Sequence, residues 1–369
     1  MHLKAIYIFG KGREYKIFNH ESSSKEFLYG FDYISKLFDT SFLVPIENKK
    51  KTLIFLEKIA RKLTNLPIYF SNYCSFESYK KIFDNQKVIV TNDSIGLSLL
   101  PILLVGKFLK KVEISIFIMG LLGKPKPNMY FKIIQRIIIN LLFSISKNII
   151  FLGKAEYQKA NLNYKKHIKK FYFLPFPVDI KFWDKNLCKE NTDNKYDITF
   201  IGNDGKRDYK FLIKLIRDLK NYDFNVVTSN TEIIKGLEGY KNVKLILGHI
   251  NENILSDEEI REIYNKSKFV IVPLIDTIQP SGQSVALQAM SMEVPVIITD
   301  TIGFWDSEKL INNESIIKLH KNEVKLWRLK IQDLFDNDTH LKKIIQNATS
   351  IVRENYTYEN FTKKLSGII

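Results

Sequence analysis

Short β-branched and aromatic runs alternate with amphipathic stretches along the whole chain, and this alternation is its most restrictive feature. It excludes an all-helical bundle and an all-β sandwich, and predicts parallel sheets covered by helices. Strands are predicted at 4–9, 41–46, 87–91, 113–119, 148–152 and 170–174, then at 196–201, 224–228, 242–247, 269–274 and 295–299. Helical patterns fall at 24–38, 51–64 and 130–146, later at 209–219, 257–265 and 284–292, with several more after 322. A chain of 369 residues exceeds what one core usually supports, so two domains follow. The polar, aperiodic stretch 179–195 (DIKFWDKNLCKENTDNK) is placed as the linker. Ligands of such folds sit beyond the carboxyl ends of the strands, here between the two domains.

Composition matters chiefly through charge. The net charge of +16 invites an anionic partner, but it is unevenly distributed. Residues 1–200 carry 33 basic and 17 acidic side chains, whereas residues 201–369 carry 23 of each. The excess comes from runs at 47–51 (ENKKK), 107–111 (KFLKK), 124–126 (KPK) and 165–170 (KKHIKK). The run KFLKK and the segment YFKIIQRIIINLLFSISK can rest on an anionic bilayer surface. Alternatively, 130–146 is a core-packed helix with a solvated lysine face. The runs lack interleaved aromatic platforms, so no nucleic-acid partner is expected.

Other classes are excluded in turn. Globular composition rules out a disordered or fibrous chain. Cys74 and Cys188 lack metal-type spacing and read as reduced thiols of a cytoplasmic protein. The opening MHLKAIYIFGKGREYK reads as a strand and a charged loop, not an apolar leader. The apolar run 94–106 is too short to span a bilayer and is interrupted by Pro101. The six histidines show no ligand-type grouping, so no metal is expected.

Two segments carry chemistry. In FVIVPLIDTIQPSGQSVALQAMSMEVPVIITD, a buried strand runs into Gln279, Pro280, Ser281 and Gly282, which open a helix. A helix start offers free N–H groups suited to a phosphate. Ser281, Ser284 and Gln288 form one polar stripe on that otherwise apolar helix, alongside Gln283. The plainer alternative makes Ser281 an N-cap and Gln288 incidental. The second segment, FIGNDGKRDY, places Gly202, Asn203, Gly205, Lys206 and Arg207 in a strand-to-helix turn that can wrap a diphosphate. It is neither G-x-G-x-x-G nor G-x-x-x-x-G-K-[ST]. Asp93, at the end of a predicted strand in VTNDSIG, can meet an acceptor hydroxyl or can cap the helix that follows.

From about residue 148 onward the chain resembles retaining glycosyltransferases of the GT-B fold, family 4 or group 1. The resemblance is carried by NIIFLGKAEYQKANLNYKKHIKKFYFLPFPVDIKFW, NVKLILGHINENILSDEEIREIYNKSKFVIVPL, SGQSVALQAMSMEVPVIITD and SIVRENYTYENFTKKLSGII. It implies two Rossmann-like domains facing a central cleft. The first, 1–180, would hold the acceptor, and the second, 181–355, a UDP- or GDP-linked sugar. A closing helix, 356–369, would cross back onto the first domain. By position, Lys206 and Arg207 would clamp the diphosphate, and Ser281 to Ser284 would meet phosphates and sugar. Gln288 would meet the ribose, and Gly248 and His249 would flank the base; His249 can equally be an ordinary surface residue.

The implied activity is hexosyl transfer to a glycan or lipid-linked acceptor in polysaccharide biosynthesis, without cofactor, in the cytoplasm or peripherally on the inner membrane face. The family's pair of glutamates is replaced by Pro280, beside Gln279, and by Gln288. An arginine of the family is Asn203 here, and a histidine is Met119. Two alternatives stay open: a non-catalytic GT-B protein binding a glycan or a partner enzyme, and a nucleotide-sugar epimerase.

Overall fold

The computed structural model describes residues 3–19, 22–46, 50–109, 112–125, 128–189, 196–248 and 254–369. Two parallel sheets organise it. The first holds β1 (Lys4–Ile8), β2 (Asp39–Leu43), β3 (Lys87–Val90), β4 (Glu113–Ile118), β5 (Asn148–Phe151) and β6 (Phe171–Phe173), in the order β2-β1-β3-β4-β5-β6. The second holds β7 (Tyr196–Ile201), β8 (Phe224–Thr228), β9 (Val243–Leu247), β10 (Ser267–Val272), β11 (Val296–Thr299) and β12 (Ile317–Leu319), in the order β12-β11-β10-β7-β8-β9. The two α/β domains are Rossmann-like.

Central strands are buried on both faces, as parallel sheets require. In β4, Ile114, Ile116 and Ile118 enter one core with the helices Asp93–Leu109 and Met129–Ile145. Phe117 points to the opposite core with Tyr7, Phe9 and Ile150, which is closed by Phe361 and Leu365 of the last helix, Tyr358–Ile368. The chain therefore returns to the first domain after completing the second. Where it passes back, Val178 bridges to Thr357: the Val178 N–H donates to Tyr356 O at 2.8 Å and the Tyr358 N–H donates to Val178 O at 3.0 Å.

Three local expectations change. The helix expected at 24–38 is broken into short turns, Glu26–Leu28 and Phe31–Ile34. Tyr29 and Gly30 lie between them at φ 51° and 83°, left-handed backbone that stops a helix. A Cβ on Gly30 would come within 2.9 Å of Leu365, so the break also seats the last helix. Pro101 does not interrupt its helix, which runs unbroken over Asp93–Leu109. The short β12 was not foreseen. Among the described residues no helix is long and apolar enough to cross a membrane.

Candidate functional site

The carboxyl ends of the second sheet face the first domain across a cavity of about 200 Å³. Its walls combine Gly202, Asn203, Arg207, Gly248, Asp257, Ser284 and Gln288 with Lys16 and Phe27 from the first domain. Most residues singled out in the second domain thus converge, although not all in the manner expected.

The turn after β7 is built around Arg207. Its side chain is buried, pairs with Asp204 at 3.0 Å and leaves Nε without a hydrogen-bond partner. A Cβ on Gly202 would lie 2.7 Å from that Nε, so a side chain there would displace the guanidinium from beneath the turn. Lys206 is half-buried and makes no ion pair with a described residue. Asp208 ends the turn by capping the helix Tyr209–Asp218 through the Phe211 N–H.

Asn203 is a staple. Its Oδ1 accepts from the Ser229 N–H, from the Ser229 hydroxyl at 3.0 Å and from the Thr228 hydroxyl at 3.1 Å. Its Nδ2 donates to Gly248 O at 2.6 Å. The side chain is consumed in joining the ends of β7, β8 and β9, so its amide has little left for a ligand. Gly248 lines the cavity; His249 lies outside the described residues.

The loop after β10 leads into the helix Gln283–Ser291. The expectation that Ser281 caps this helix fails: Gly282 is the N-cap at φ 83°, and no side chain caps it. The buried Ser281 hydroxyl has no hydrogen-bond partner among the described residues. The first N–H groups of the helix lack intrahelical acceptors, as at any helix start. Ser284 lines the cavity beside them.

The two glutamines are tied to the first domain. Gln283 donates to Leu152 O at 2.8 Å and accepts from the Phe176 N–H at 3.3 Å. Its side-chain amide is thus an interdomain strut. Gln288 donates through Nε2 to Glu26 Oε1 at 2.8 Å and accepts from the Tyr264 hydroxyl at 3.2 Å. Gln279 and Pro280 pack on the glycines of the first domain: a Cβ would come within 2.7 Å of Gln279 at Gly120 and within 2.8 Å of Pro280 at Gly153.

Asp93 does not line the cavity. It is buried in the first domain, accepts from the Met119 N–H at 3.1 Å, and burial raises its pKa. The cap of its helix is Asn92, which accepts from the Ile95 N–H at 2.9 Å. Glu156 lies close by, bound by the N–H groups of Gly120 and Leu122 and pushed up to about 7 by burial and then by the charge of Asp93.

Several residues on the first-domain wall escaped the sequence reading. Lys16 is buried and pairs with Asp257, which also accepts from the Ser24 N–H and hydroxyl at 2.8 Å each. Glu26 accepts from Trp183 Nε1 at 2.7 Å as well as from Gln288, while its Oε2 has no partner. Burial, followed by the charges of Asp257 and Asp179, pushes Glu26 up to about 7. No periodicity or motif marks these groups, because each acts through a partner remote in the chain.

Residues 195–337 match the family model described as "Glycosyl transferases group 1". No curated protein matches the sequence. Among solved structures, a glycosyltransferase from Rickettsia africae superposes with a TM-score of 0.68 at 14% identity, covering 100% of this chain and 97% of that one. Anabaena Alr3699/HepE in complex with UDP-glucose gives 0.68 at 11% identity over 99% of both chains. Sucrose-phosphate synthase from Thermosynechococcus elongatus gives 0.64 at 12% identity over 99% and 98%. The architecture is that of GT-B glycosyltransferases, and the second domain resembles those of group 1.

Proposed function

We propose that the protein transfers a sugar from a nucleotide sugar to an acceptor, with the donor held in the interdomain cavity. The observation carrying this reading is a pair of buried, unpaired polar groups in the domain that matches group 1 glycosyltransferases, one of them on a residue that lines the cavity. The Ser281 hydroxyl and Arg207 Nε are buried without partners, next to a helix start and a glycine turn. Buried polar groups are rarely left unpaired, and a bound ligand is one way to complete them.

In this reading the helix start and Ser284 receive the diphosphate, Lys206 neutralises it from the rim and Gln288 faces the ribose. The nucleotide is UDP or GDP, and the transferred unit a hexose. Transfer proceeds with retention and without a metal. The bond from the anomeric carbon to the diphosphate breaks as the acceptor oxygen bonds to the same face, and the acceptor proton passes to the leaving phosphate oxygen. Such a reaction asks the protein for positioning and charge stabilisation rather than for a base. The acceptor is a glycan or a lipid-linked glycan held by the basic first domain, in the cytoplasm.

A thermal-shift screen of nucleoside diphosphates and nucleotide sugars tests the donor site. A cognate nucleotide at a hundred times its Kd stabilises by about 2.7 kcal/mol. No shift with any nucleotide would remove the donor site. One observation favours a second reading, a non-catalytic glycan- or partner-binding protein: Gln288 and Pro280 occupy the glutamate positions and are engaged by the first domain. Nucleotide binding without turnover or donor hydrolysis would favour it.

A further inference from the structure

The helix Met129–Ile145 is apolar on two sides, which is the pattern of a fully buried helix. Only one side is buried. Ile139, Leu142 and Phe143 enter the first core, whereas Ile133 is 65% exposed, Ile137 52% and Leu141 40%. The core-packed helix with a solvated lysine face anticipated from sequence thus also turns isoleucines outward.

The neighbouring helix Lys51–Thr64 repeats the pattern. It packs beside Met129–Ile145, tied to it by Gln135 Nε2 donating to Thr64 O at 2.7 Å. Phe55 is 64% exposed and Ile59 42%. The charges between these side chains are all of one sign. Lys51, Lys58, Lys62, Lys132 and Arg136 belong to the two helices, whose single carboxylate, Glu57, is buried against the Ser71 N–H. At one end of the face lies a cavity of about 270 Å³ lined by Lys124, Lys132, Arg136 and Lys159 and by no carboxylate. None of these four cations forms an ion pair with a described residue.

We propose that this face seats the protein on an anionic lipid bilayer, with isoleucine and phenylalanine side chains entering the acyl boundary and the basic cavity holding a lipid phosphate. Charge complementarity selects the occupant. An exposed apolar patch is expected to mark an interaction surface, and one whose two helices expose cations and no carboxylate matches a bilayer of anionic lipid. A second copy of the same face would bring like charges together without compensation. The 121–124 loop that lines the basic cavity also touches the opposite wall of the interdomain cleft, since a Cβ on Gly123 would lie 2.6 Å from Ile278. A bilayer held here thus adjoins the cleft. That adjacency gains meaning from the proposed sugar transfer, but the docking surface stands without it.

Co-sedimentation of the full chain with phosphatidylcholine vesicles, alone or mixed with phosphatidylglycerol, tests the inference. Binding is expected to the mixed vesicles only, and to persist in millimolar inorganic phosphate. Lys132→Glu with Arg136→Glu lowers vesicle affinity at least about tenfold. Ile133→Asn with Ile137→Asn abolishes the binding that survives high salt. Both variants retain the wild-type melting temperature and nucleotide response, which separates loss of docking from loss of the fold or the donor site. Failure to bind mixed vesicles, equal binding by wild type and both variants, displacement by inorganic phosphate, or a dimer dissolved by the isoleucine changes would each overturn it.

Discussion

Glu26 of the first domain and Gln288 of the second share a 2.8 Å hydrogen bond across the interface, and Trp183 donates to the same Glu26 oxygen. A buried carboxyl thus stands behind a glutamine of the cavity wall. Its ordinary pKa of 4.5 is pushed up to about 7, chiefly by burial.

Glu26 makes the fold pH-dependent in a definite direction. Between pH 4.5 and about 7 the folded chain binds a proton there that the unfolded chain has lost, so stability falls as pH rises. At about 1.4 kcal/mol per pKa unit, the loss is on the order of 3 kcal/mol. Glu26→Gln, neutral at every pH, is expected to melt several degrees above wild type at pH 8 and nearly with it at pH 4. Paired thermal melts check this; a pH-independent difference would contradict it.

Ser281→Ala separates binding from folding. The buried hydroxyl has no partner, so its removal leaves the melting temperature unchanged or slightly raised. If the hydroxyl bonds the donor, KM for the nucleotide sugar rises about fivefold, the worth of one hydrogen bond of about 1 kcal/mol. Wild-type donor kinetics would remove Ser281 from the site.

Asn203→Ala should act first on stability. It deletes the amide joining Gly248, Thr228 and Ser229, and unpairs buried backbone groups at about 1–3 kcal/mol. Denaturant unfolding measures the loss. An unchanged midpoint would show that water replaces the staple.

Gly153→Ala probes how the first domain sets the donor loop. The new Cβ would lie 2.8 Å from the rigid Pro280 ring, an overpacking worth about 1–3 kcal/mol. Displacement of the 279–282 loop is expected to weaken the nucleotide-induced thermal shift even at temperatures where the variant is fully folded. A wild-type nucleotide response would show that the loop moves independently of Gly153.

The sheets were legible because their information is local. Runs such as KAIYI and NIIF can satisfy both faces only inside a parallel sheet, and all of the anticipated strands form. β12 escaped because three residues carry too little pattern, and the 24–38 break escaped because Tyr29 takes a left-handed conformation that its residue type does not advertise. Gly202, Arg207, Ser284 and Gln288, singled out from turn and helix-start chemistry, line one cavity. Asn203 and Gln283 were also singled out, and both spend their side-chain amides on the scaffold. Lys16, Glu26 and Asp257 were invisible, because what makes them notable is burial against one another's domains.

The bridge between Val178 and Thr357 has a mechanical consequence. The chain passes between the domains twice, and the two passages are hydrogen-bonded to each other at one place. Two connections far apart would lock the domains, and a single one would let them tumble. Paired connections side by side act as a knife-edge pivot, favouring a swing about one line and resisting sliding. A swing that opened the cleft about that line would part Glu26 from Gln288 and Lys16 from Asp257, and closing it would re-form them.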